Sequence, residues 1–145
     1  MIQSTFILLK GIGEFTERRL WEHGVLDWQA FLDAGTLPGI APDRKALYDL
    51  ALATAQDHFR QGLSRYFARC LKPKDHWRLF ESFRPRTLFL DIETTGTPPD
   101  FGEVTVVGLY SNGRMTTLVK GESLTEDRLR EELAPYDLLV TFFGS

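Results

Sequence analysis

The chain has 145 residues, of which 43% are hydrophobic and 26% charged, and its formal net charge is −3. This composition is typical of one ordinary or two small globular domains and argues against a disordered chain. The single cysteine excludes an internal disulfide and a cysteine-rich zinc site, and no stretch reaches the ~20 apolar residues of a membrane span, so a cytoplasmic protein is expected.

Charge and hydrophobic pattern divide the chain into two parts. Residues 1–80 carry a slight excess of basic side chains, whereas residues 81–145 carry a clear excess of acidic ones. Helical patterns fill the first part and strand patterns the second, which predicts a helical domain over residues 1–84 and an α/β domain over residues 85–145. Neither part has the strongly basic composition that nonspecific DNA binding usually needs.

The first part is predicted to begin with two short helices. Residues 14–23 form an amphipathic segment that ends at Gly24, and residues 28–32 form another that ends before Gly35. Glycine ends a helix readily because it adopts backbone conformations that side chains disfavour.

A long helix is predicted to follow. Apolar residues keep a helical spacing from Pro42 to Cys70, with charged residues on the opposite face. Pro73 interrupts the pattern, and residues 76–83 are predicted to form a further short helix. The predicted buried stripe of the long helix consists of Leu47, Leu50, Ala51, Ala55, Phe59, Leu63, Phe67 and Cys70.

A glycine-rich turn precedes the first helix. Its sequence, Lys10-Gly11-Ile12-Gly13, resembles the glycine-hydrophobic-glycine hairpin of helix-hairpin-helix DNA-binding modules. The resemblance implies that Gly11 and Gly13 let backbone N–H groups approach a phosphate of a nucleic-acid backbone, with Lys10 as a charged contact beside them. A tight turn between two packed helices is the alternative interpretation.

A degenerate second copy of this turn is predicted at residues 37–42. Ala41 stands in the place of the second glycine, and Pro42 lacks the N–H group that could donate to a phosphate. Arg18 and Arg19, in the helix that follows the first turn, are further candidates for phosphate contacts, and solvated surface charges are the alternative.

The second part is predicted to fold as β-β-β-α-β. Asn112-Gly113 is the strongest hairpin signal in the chain, and Ser123 with Glu126 resembles a capping box that opens the helix. The predicted strands are residues 86–93, 103–110, 114–119 and 138–142. Three antiparallel strands, a crossover helix and a strand that returns beside the first predict a mixed sheet, which resembles the opening part of a ribonuclease-H-like sheet. The resemblance implies further helices and a strand that are absent here, so one edge or face of the sheet is expected to be exposed for self-association or a partner.

Two acidic residues interrupt the first predicted strand. Asp91 and Glu93 lie two positions apart and therefore share one face, about 6.5 to 7 Å apart along the backbone, while Leu88, Leu90 and Ile92 are expected to face a core. The two carboxylates repel each other unless a cation balances them, and a hard divalent ion is the simplest such cation. The alternative is an edge strand whose acids face water, but the apolar neighbours favour a metal or substrate role.

The run Asp91-Ile92-Glu93-Thr94-Thr95-Gly96 resembles the first signature of the DEDD 3′→5′ exonucleases, which share the ribonuclease-H-like fold. Over residues 85–145 the chain resembles, more narrowly, the YprB-type ribonuclease-H-like domain. The resemblance implies that the aspartate and the glutamate are catalytic and bind Mg²⁺ or Mn²⁺ in a two-metal site. It also implies that Thr94, Thr95 and Gly96 contact the substrate, a DNA or RNA strand with a single-stranded end.

The chain departs from the family pattern at two places. An apolar residue usually follows the signature glycine, but here Thr97 follows it, succeeded by two prolines. After the fourth strand the family continues into a signature resembling Asn-Gly-x-x-Phe-Asp, whereas Phe143 stands where the asparagine would be and the acidic residue would fall after Ser145. The spare acids nearby, which we interpret as solvated loop residues, are Asp100, Glu103 and Asp137.

The sequence therefore predicts a helical, helix-hairpin-helix-like domain followed by a partial ribonuclease-H-like domain. The first hypothesis is a metal-dependent nuclease that resembles 3′→5′ exonucleases, with weak or no turnover in this chain because half of the metal site is missing. The second is a non-enzymatic nucleic-acid or protein binding module that retains the first strands of the fold. The third is a piece of a longer protein whose other part supplies the remaining ligands.

Overall fold

The computed structural model of the protein describes residues 1–96 and 102–142. The chain divides into two compact units, Met1–Ser82 and Phe83–Ser145. The division lies close to the boundary expected from the change of sequence pattern at residues 84 and 85. Among the described residues, no helix is both long enough and apolar enough to cross a membrane.

The first unit is helical. Its elements, together with the short helices that lead into the second unit, are a 3₁₀ turn Ile2–Ser4, helices α1 (Glu14–Glu22), α2 (Trp28–Asp33), α3 (Pro42–Arg60) and α4 (Ser64–Cys70), a 3₁₀ helix Pro73–Leu79, helix α5 (Phe80–Phe83) and a 3₁₀ turn Arg84–Arg86. The side chain of Asp27 caps α2 by accepting a hydrogen bond from the Ala30 N–H at 2.8 Å, as expected for an N-terminal capping residue.

The prediction of one long helix from Pro42 to Cys70 is wrong. Helix α3 ends at Arg60, and Gly62 has a φ of +71°, a left-handed conformation that ends helices. The predicted buried stripe is only partly correct: Ala55 and Phe67 are fully buried, whereas Leu47 and Leu50 are 63% and 69% exposed. The side chains that α3 buries are Lys45, Tyr48, Leu52 and Ala55. Cys70 is half-buried rather than buried, and this burial raises the pKa of its thiol.

Aromatic side chains build the core of the first unit. Trp28 stacks on Phe67 with ring centroids 5.8 Å apart and meets Phe59 edge to face at 6.2 Å. Phe6 packs against Phe31 at 5.4 Å, and all of these rings except Phe59 are almost fully buried. Ring pairs in these geometries add to the free energy gained from burial alone. The core therefore ties the N-terminal segment to α2, α3 and α4.

A buried carboxylate fixes the segment that leads into the glycine turn. Glu17 of α1 is 1% exposed, and its carboxylate accepts hydrogen bonds from the backbone N–H groups of Phe6 at 2.6 Å and Ile7 at 3.2 Å. The guanidinium of Arg78 pairs with the same carboxylate at 2.9 Å. Ionised side chains are rarely this buried unless they are fully paired, so Glu17 holds three parts of the unit together.

The second unit is a four-stranded sheet with one helix. Its elements are strands β1 (Thr87–Thr94), β2 (Val104–Ser111) and β3 (Arg114–Val119), helix α6 (Glu126–Leu133) and strand β4 (Leu138–Thr141). The sheet has the order β3-β2-β1-β4, in which β1 pairs antiparallel with β2 and parallel with β4. The predicted β-β-β-α-β order and the return of the last strand beside the first are confirmed. Asn112 and Gly113 both have positive φ, 49° and 81°, as a two-residue hairpin requires.

The predicted capping box is wrong by two residues. Helix α6 begins at Glu126, and the hydroxyl of Thr125 caps it by accepting a hydrogen bond from the Arg128 N–H at 3.2 Å. The hydroxyl of Ser123 instead accepts from the Val119 N–H at 3.0 Å and closes the turn after β3. Both residues suit a cap chemically, and the turn geometry decided between them.

One face of the sheet is covered and the other is open. Leu88, Val107, Leu109 and Leu118 form a buried cluster. Partly buried side chains from β1 and from the α6 region pack on this cluster: Leu90, Leu124, Leu129, Leu133 and Tyr136. On the opposite face Phe89, Tyr110 and Met115 are exposed. Of the two predicted possibilities, an exposed edge or an exposed face, the described residues thus show an exposed face.

Replacement of Glu17 by alanine is expected to destabilise the first unit. The substitution removes the nearer carboxylate of the largely buried Arg78, which keeps only Asp75 at 3.9 Å, and leaves two backbone N–H groups without an acceptor, at a cost of about 3 kcal/mol. Urea unfolding followed by tryptophan fluorescence measures this unit selectively, because Trp21, Trp28 and Trp77 all lie in it. Glu22→Ala, at an exposed position on the same helix, is the matched control and should change the unfolding free energy by about 0.5 kcal/mol or less.

Candidate functional site

Asp91 and Glu93 lie on the open face of the central strand. Strand β1 pairs with β4 over Thr87–Leu90, and its pairing with β2 continues past that point, placing Asp91 opposite Gly108 and Glu93 opposite Val106. Both acidic residues are exposed. Within the described residues neither carboxylate forms an ion pair or a side-chain hydrogen bond. The two acids therefore share one accessible face, as the alternation of the strand predicts.

The reason given from sequence for a functional role is only partly correct. Leu88 is buried and Leu90 packs on the core, but Ile92 is 47% exposed instead of facing a core. The two acids are not desolvated either, because the sheet is covered on one face only. The two carboxylates lack protein partners because they lie on the open face of the sheet. Since they are exposed to water, they do not need a cation to offset the cost of burial.

Gly108 leaves room beside Asp91. A Cβ atom at this position would lie 3.3 Å from Cε of Met115 and 3.9 Å from Cβ of Asp91, so any larger side chain would crowd the carboxylate. A cavity of about 470 Å³ opens there. Its lining is Phe89, Leu90, Asp91, Gly108, Tyr110, Met115, Val140, Thr141 and Phe142. The cavity is thus apolar and aromatic with a single carboxylate in its wall.

The sequence reasoning missed this cavity and its glycine. A glycine inside a strand signals a close approach of another group or a bulge, and Gly108 in the run Val106-Val107-Gly108-Leu109 carries that signal. The other wall residues carry no such signal, because strand alternation does not show which face of a sheet remains uncovered.

The three residues after the acids lie where β1 ends. The β1–β2 register shifts between Glu93 and Thr94, and the Thr94 hydroxyl donates to the Gly96 carbonyl oxygen at 3.3 Å. Thr95 and Glu103 are joined by two hydrogen bonds of 3.0 Å, one between their backbones and one from the Glu103 N–H to the Thr95 hydroxyl. Thr94 and Thr95 therefore hold the base of a loop.

Gly96 has open space around it. Among the described residues, a Cβ atom there would meet no atom within 4 Å, and the backbone is not left-handed. Glycine is therefore not required at this position by the folded chain itself. Both departures from the family pattern, at residues 97–99 and 143–145, lie outside the described residues. The spare acid Asp100 also lies outside them.

Two of the spare acids, Glu103 and Asp137, are exposed loop residues, as interpreted from the sequence, and each is also paired with a cation. Glu103 forms an ion pair with Lys120, and the hydrogen bond and charge of that lysine lower the pKa of Glu103. Asp137 pairs with Arg86 at 2.5 Å. Within residues 1–96 and 102–142, no group of three or more His, Cys, Asp or Glu side chains is close enough to hold a metal ion. Asp91 and Glu93 alone could thus supply protein ligands, with water filling the remaining positions.

The predicted phosphate contacts lie together in the first unit. Gly11 has a φ of +98°, and Gly13 is the N-terminal capping residue of α1. Lys10 is exposed, and its carbonyl oxygen accepts a hydrogen bond from the Tyr48 hydroxyl at 3.2 Å. Within the described part of the chain, Lys10 takes part in no ion pair. The turn is therefore both a tight connection, as the alternative interpretation states, and an accessible one.

Comparison with known proteins yields a family match for the second unit. Residues 88–145 match the sequence model of a family described as RNase_H_2, RNase_H superfamily. No curated protein and no solved structure matches the chain. The match supports an RNase H-like domain with a nuclease-type fold in this region, and the β3-β2-β1-β4 sheet agrees with it.

Replacement of Lys120 by glutamine is expected to raise the pKa of Glu103 back toward its ordinary value of 4.5. Because the folded-state pKa is lowered, the pair stabilises the fold fully above that ordinary value, and the contribution disappears as the pH falls through the lowered pKa. Carbon-13 NMR of the glutamate side chains measures the titration. Arg130→Gln removes a cation that pairs with Glu126 instead and should leave the Glu103 titration unchanged; an equal change in both variants contradicts the pairing.

Proposed function

We propose that the second unit is the metal-binding core of a nuclease related to the DEDD 3′→5′ exonucleases, of the YprB-type ribonuclease-H-like group. The observation that carries this proposal is the pair Asp91 and Glu93, two carboxylates without protein partners among the described residues, side by side on the open face of the central strand. RNase H-like nucleases usually use divalent metals, so the family match supports a cation at this pair.

The chemistry of the pair suits Mg²⁺ or Mn²⁺. Both ions prefer oxygen ligands and retain water, so two carboxylates on one face can hold an ion weakly. A bound divalent ion can activate water for attack on phosphorus and stabilise the leaving oxygen. The chain's own contribution is to hold Asp91 and Glu93 on one face of β1, paired with β2, and to leave space beside Asp91 at Gly108. Thr94, Thr95 and Gly96 would border the substrate at the end of β1.

The substrate we propose is a DNA or RNA strand with a single-stranded end. Apolar and aromatic side chains beside Asp91, among them Phe89 and Tyr110, provide surface for a base or sugar. In the first unit, Lys10, Gly11 and Gly13 would contact the phosphate backbone. Since no third carboxylate joins Asp91 and Glu93 among the described residues, turnover by the 145-residue chain is expected to be weak or absent.

Metal binding is the first test of the pair. Isothermal titration with MnCl₂ should show weak binding to the 145-residue chain, and Asp91→Asn should lower the affinity about tenfold or more, equivalent to about 1.4 kcal/mol. The matched control, Asp127→Asn, changes an exposed acid of α6 and should bind Mn²⁺ like the parent chain. Equal affinity of the Asp91 variant and the parent chain contradicts the proposed site.

Nuclease activity is the second test of the pair. Labelled single-stranded DNA and RNA are incubated with the chain in Mg²⁺ or Mn²⁺, with Asp91→Ala and Glu93→Gln as variants. Any cleavage should be slow, should need the metal and should disappear in both variants. Robust cleavage that survives Asp91→Ala would falsify the assignment of the site.

A non-enzymatic nucleic-acid binding module is the second candidate function, and the accessible turn at Gly11 and Gly13 favours it. Gly13→Ala tests the turn, because a Cβ atom at Gly13 meets nothing within 4 Å and its φ of −101° suits alanine. The added methyl group would obstruct a phosphate at the backbone N–H groups, and the affinity for a labelled oligonucleotide should fall about tenfold, as for a lost hydrogen bond to a charged group.

Gly35→Ala is the matched control for this experiment. Gly35 also lies on the surface of the first unit with nothing within 4 Å of its Cβ position. Equal losses in the two variants contradict a specific role of the turn. Metal-independent binding that needs Gly13, without cleavage under any condition, favours the binding module over the nuclease.

A further inference from the structure

The two glycine turns of the first unit have the same backbone structure. In the first turn the Ile12 N–H donates to the Leu9 carbonyl oxygen at 3.0 Å, and in the second the Ile40 N–H donates to the Leu37 carbonyl oxygen at 3.2 Å. The glycine within each turn is left-handed, with φ of +98° at Gly11 and +77° at Gly39. A helix follows each turn at the same distance along the sequence. The unit therefore contains one turn-and-helix element twice.

The correspondence continues into the helices. Glu17 of α1 and Lys45 of α3 occupy equivalent positions after their turns, and both are buried charged residues. One turn later, Leu20 and Tyr48 are again equivalent and again buried. The two elements thus share a pattern of burial as well as a turn. The buried charge has opposite sign in the two elements, negative at Glu17 and positive at Lys45.

Each turn carries an arginine from the helix of the other element. The Cβ position of Gly11 lies 3.6 Å from Nη1 of Arg44, which belongs to α3. The Cβ position of Gly39 lies 3.3 Å from Nη1 of Arg19, which belongs to α1. The sequence associates Arg19 with the first turn, but the fold brings it to the second. Each arginine therefore belongs to the helix of one element and lies beside the glycine turn of the other.

Both arginines are available for a ligand. Arg19 and Arg44 are exposed, and in the described part of the chain neither forms an ion pair, whereas Lys45, Lys74 and Arg78 of the same unit are paired. The Arg44 guanidinium also lies 6.0 Å from the ring centre of Tyr48, a contact that orients it beside the first turn.

We infer that Arg44 and Arg19 are phosphate ligands, one at each turn, and that the paired turns hold two phosphates of a nucleic-acid backbone. The inference rests on the proposed nucleic-acid partner. A guanidinium forms two parallel hydrogen bonds to a phosphate, and glycine lets the phosphate approach the turn beside it. The second turn depends more on its arginine, because Pro42 has no N–H group to donate.

The salt dependence of binding by the full chain tests this inference. Fluorescence anisotropy with a labelled oligothymidylate and with a labelled DNA duplex gives the slope of log affinity against log salt concentration. Each lost phosphate contact reduces that slope by about 0.7 for a single strand or about 0.9 for a duplex. Arg44→Gln and Arg19→Gln should each reduce it by about one contact, and the double variant by about two.

Arg65→Gln and Arg69→Gln are the matched controls. Both arginines are exposed on α4 of the same unit, and they form no ion pair within the described residues, so their removal changes the net charge equally. The expected result is an unchanged slope in both controls. If the controls reduce the slope as much as the two variants, or if only one of the two variants reduces it, the paired sites are wrong. If the unaltered chain binds neither oligonucleotide, the proposed nucleic-acid partner fails first.

Discussion

Strand β1 has a hydrogen-bonded neighbour on each side, and this double pairing fixes the second unit. The strand pairs with β4 over Thr87–Leu90 and with β2 as far as Thr94, and as in any strand its alternate side chains point to opposite faces of the sheet. Leu88 and Leu90 meet the cluster beneath α6, which leaves Asp91 and Glu93 on the open face. The site therefore needs no separate device to orient its acids, since the backbone pairing of the central strand does so.

In the first unit the buried carboxylate of Glu17 has the corresponding role. Glu17 binds two backbone N–H groups of the N-terminal segment and the guanidinium of Arg78. That arrangement anchors the chain just before the glycine turn, so the turn projects from a fixed base. Lys45, at the equivalent position of the second element, pairs with Asp49 at 2.8 Å instead. The two elements thus have different ion pairs at equivalent positions, one to another segment of the chain and one within its own helix.

The limits of sequence reasoning are clearest in helix α3. A stripe through Leu47 and Leu50 and a stripe through Tyr48 and Leu52 both fit a helical period, and only packing against the aromatic core selected the second. In the site, Asp91 and Glu93 were predictable because both belong to one short sequence motif within a predicted strand. Gly108 lies on the neighbouring strand and became part of the site only through the β1–β2 register.

The sequence by itself determined the order of elements in the second unit, the hairpin at Asn112-Gly113 and the shared face of Asp91 and Glu93, because each depends on residues that are close along the chain. Tertiary structure alone decided which sheet face stayed open and which arginine reached which turn. Arg19 and Arg44 meet turns of the opposite element because the two elements pack together, and packing joins residues whose separation in sequence carries no local signal. Local sequence patterns specify which segments form helices and strands, whereas packing between distant segments specifies which side chains come into contact.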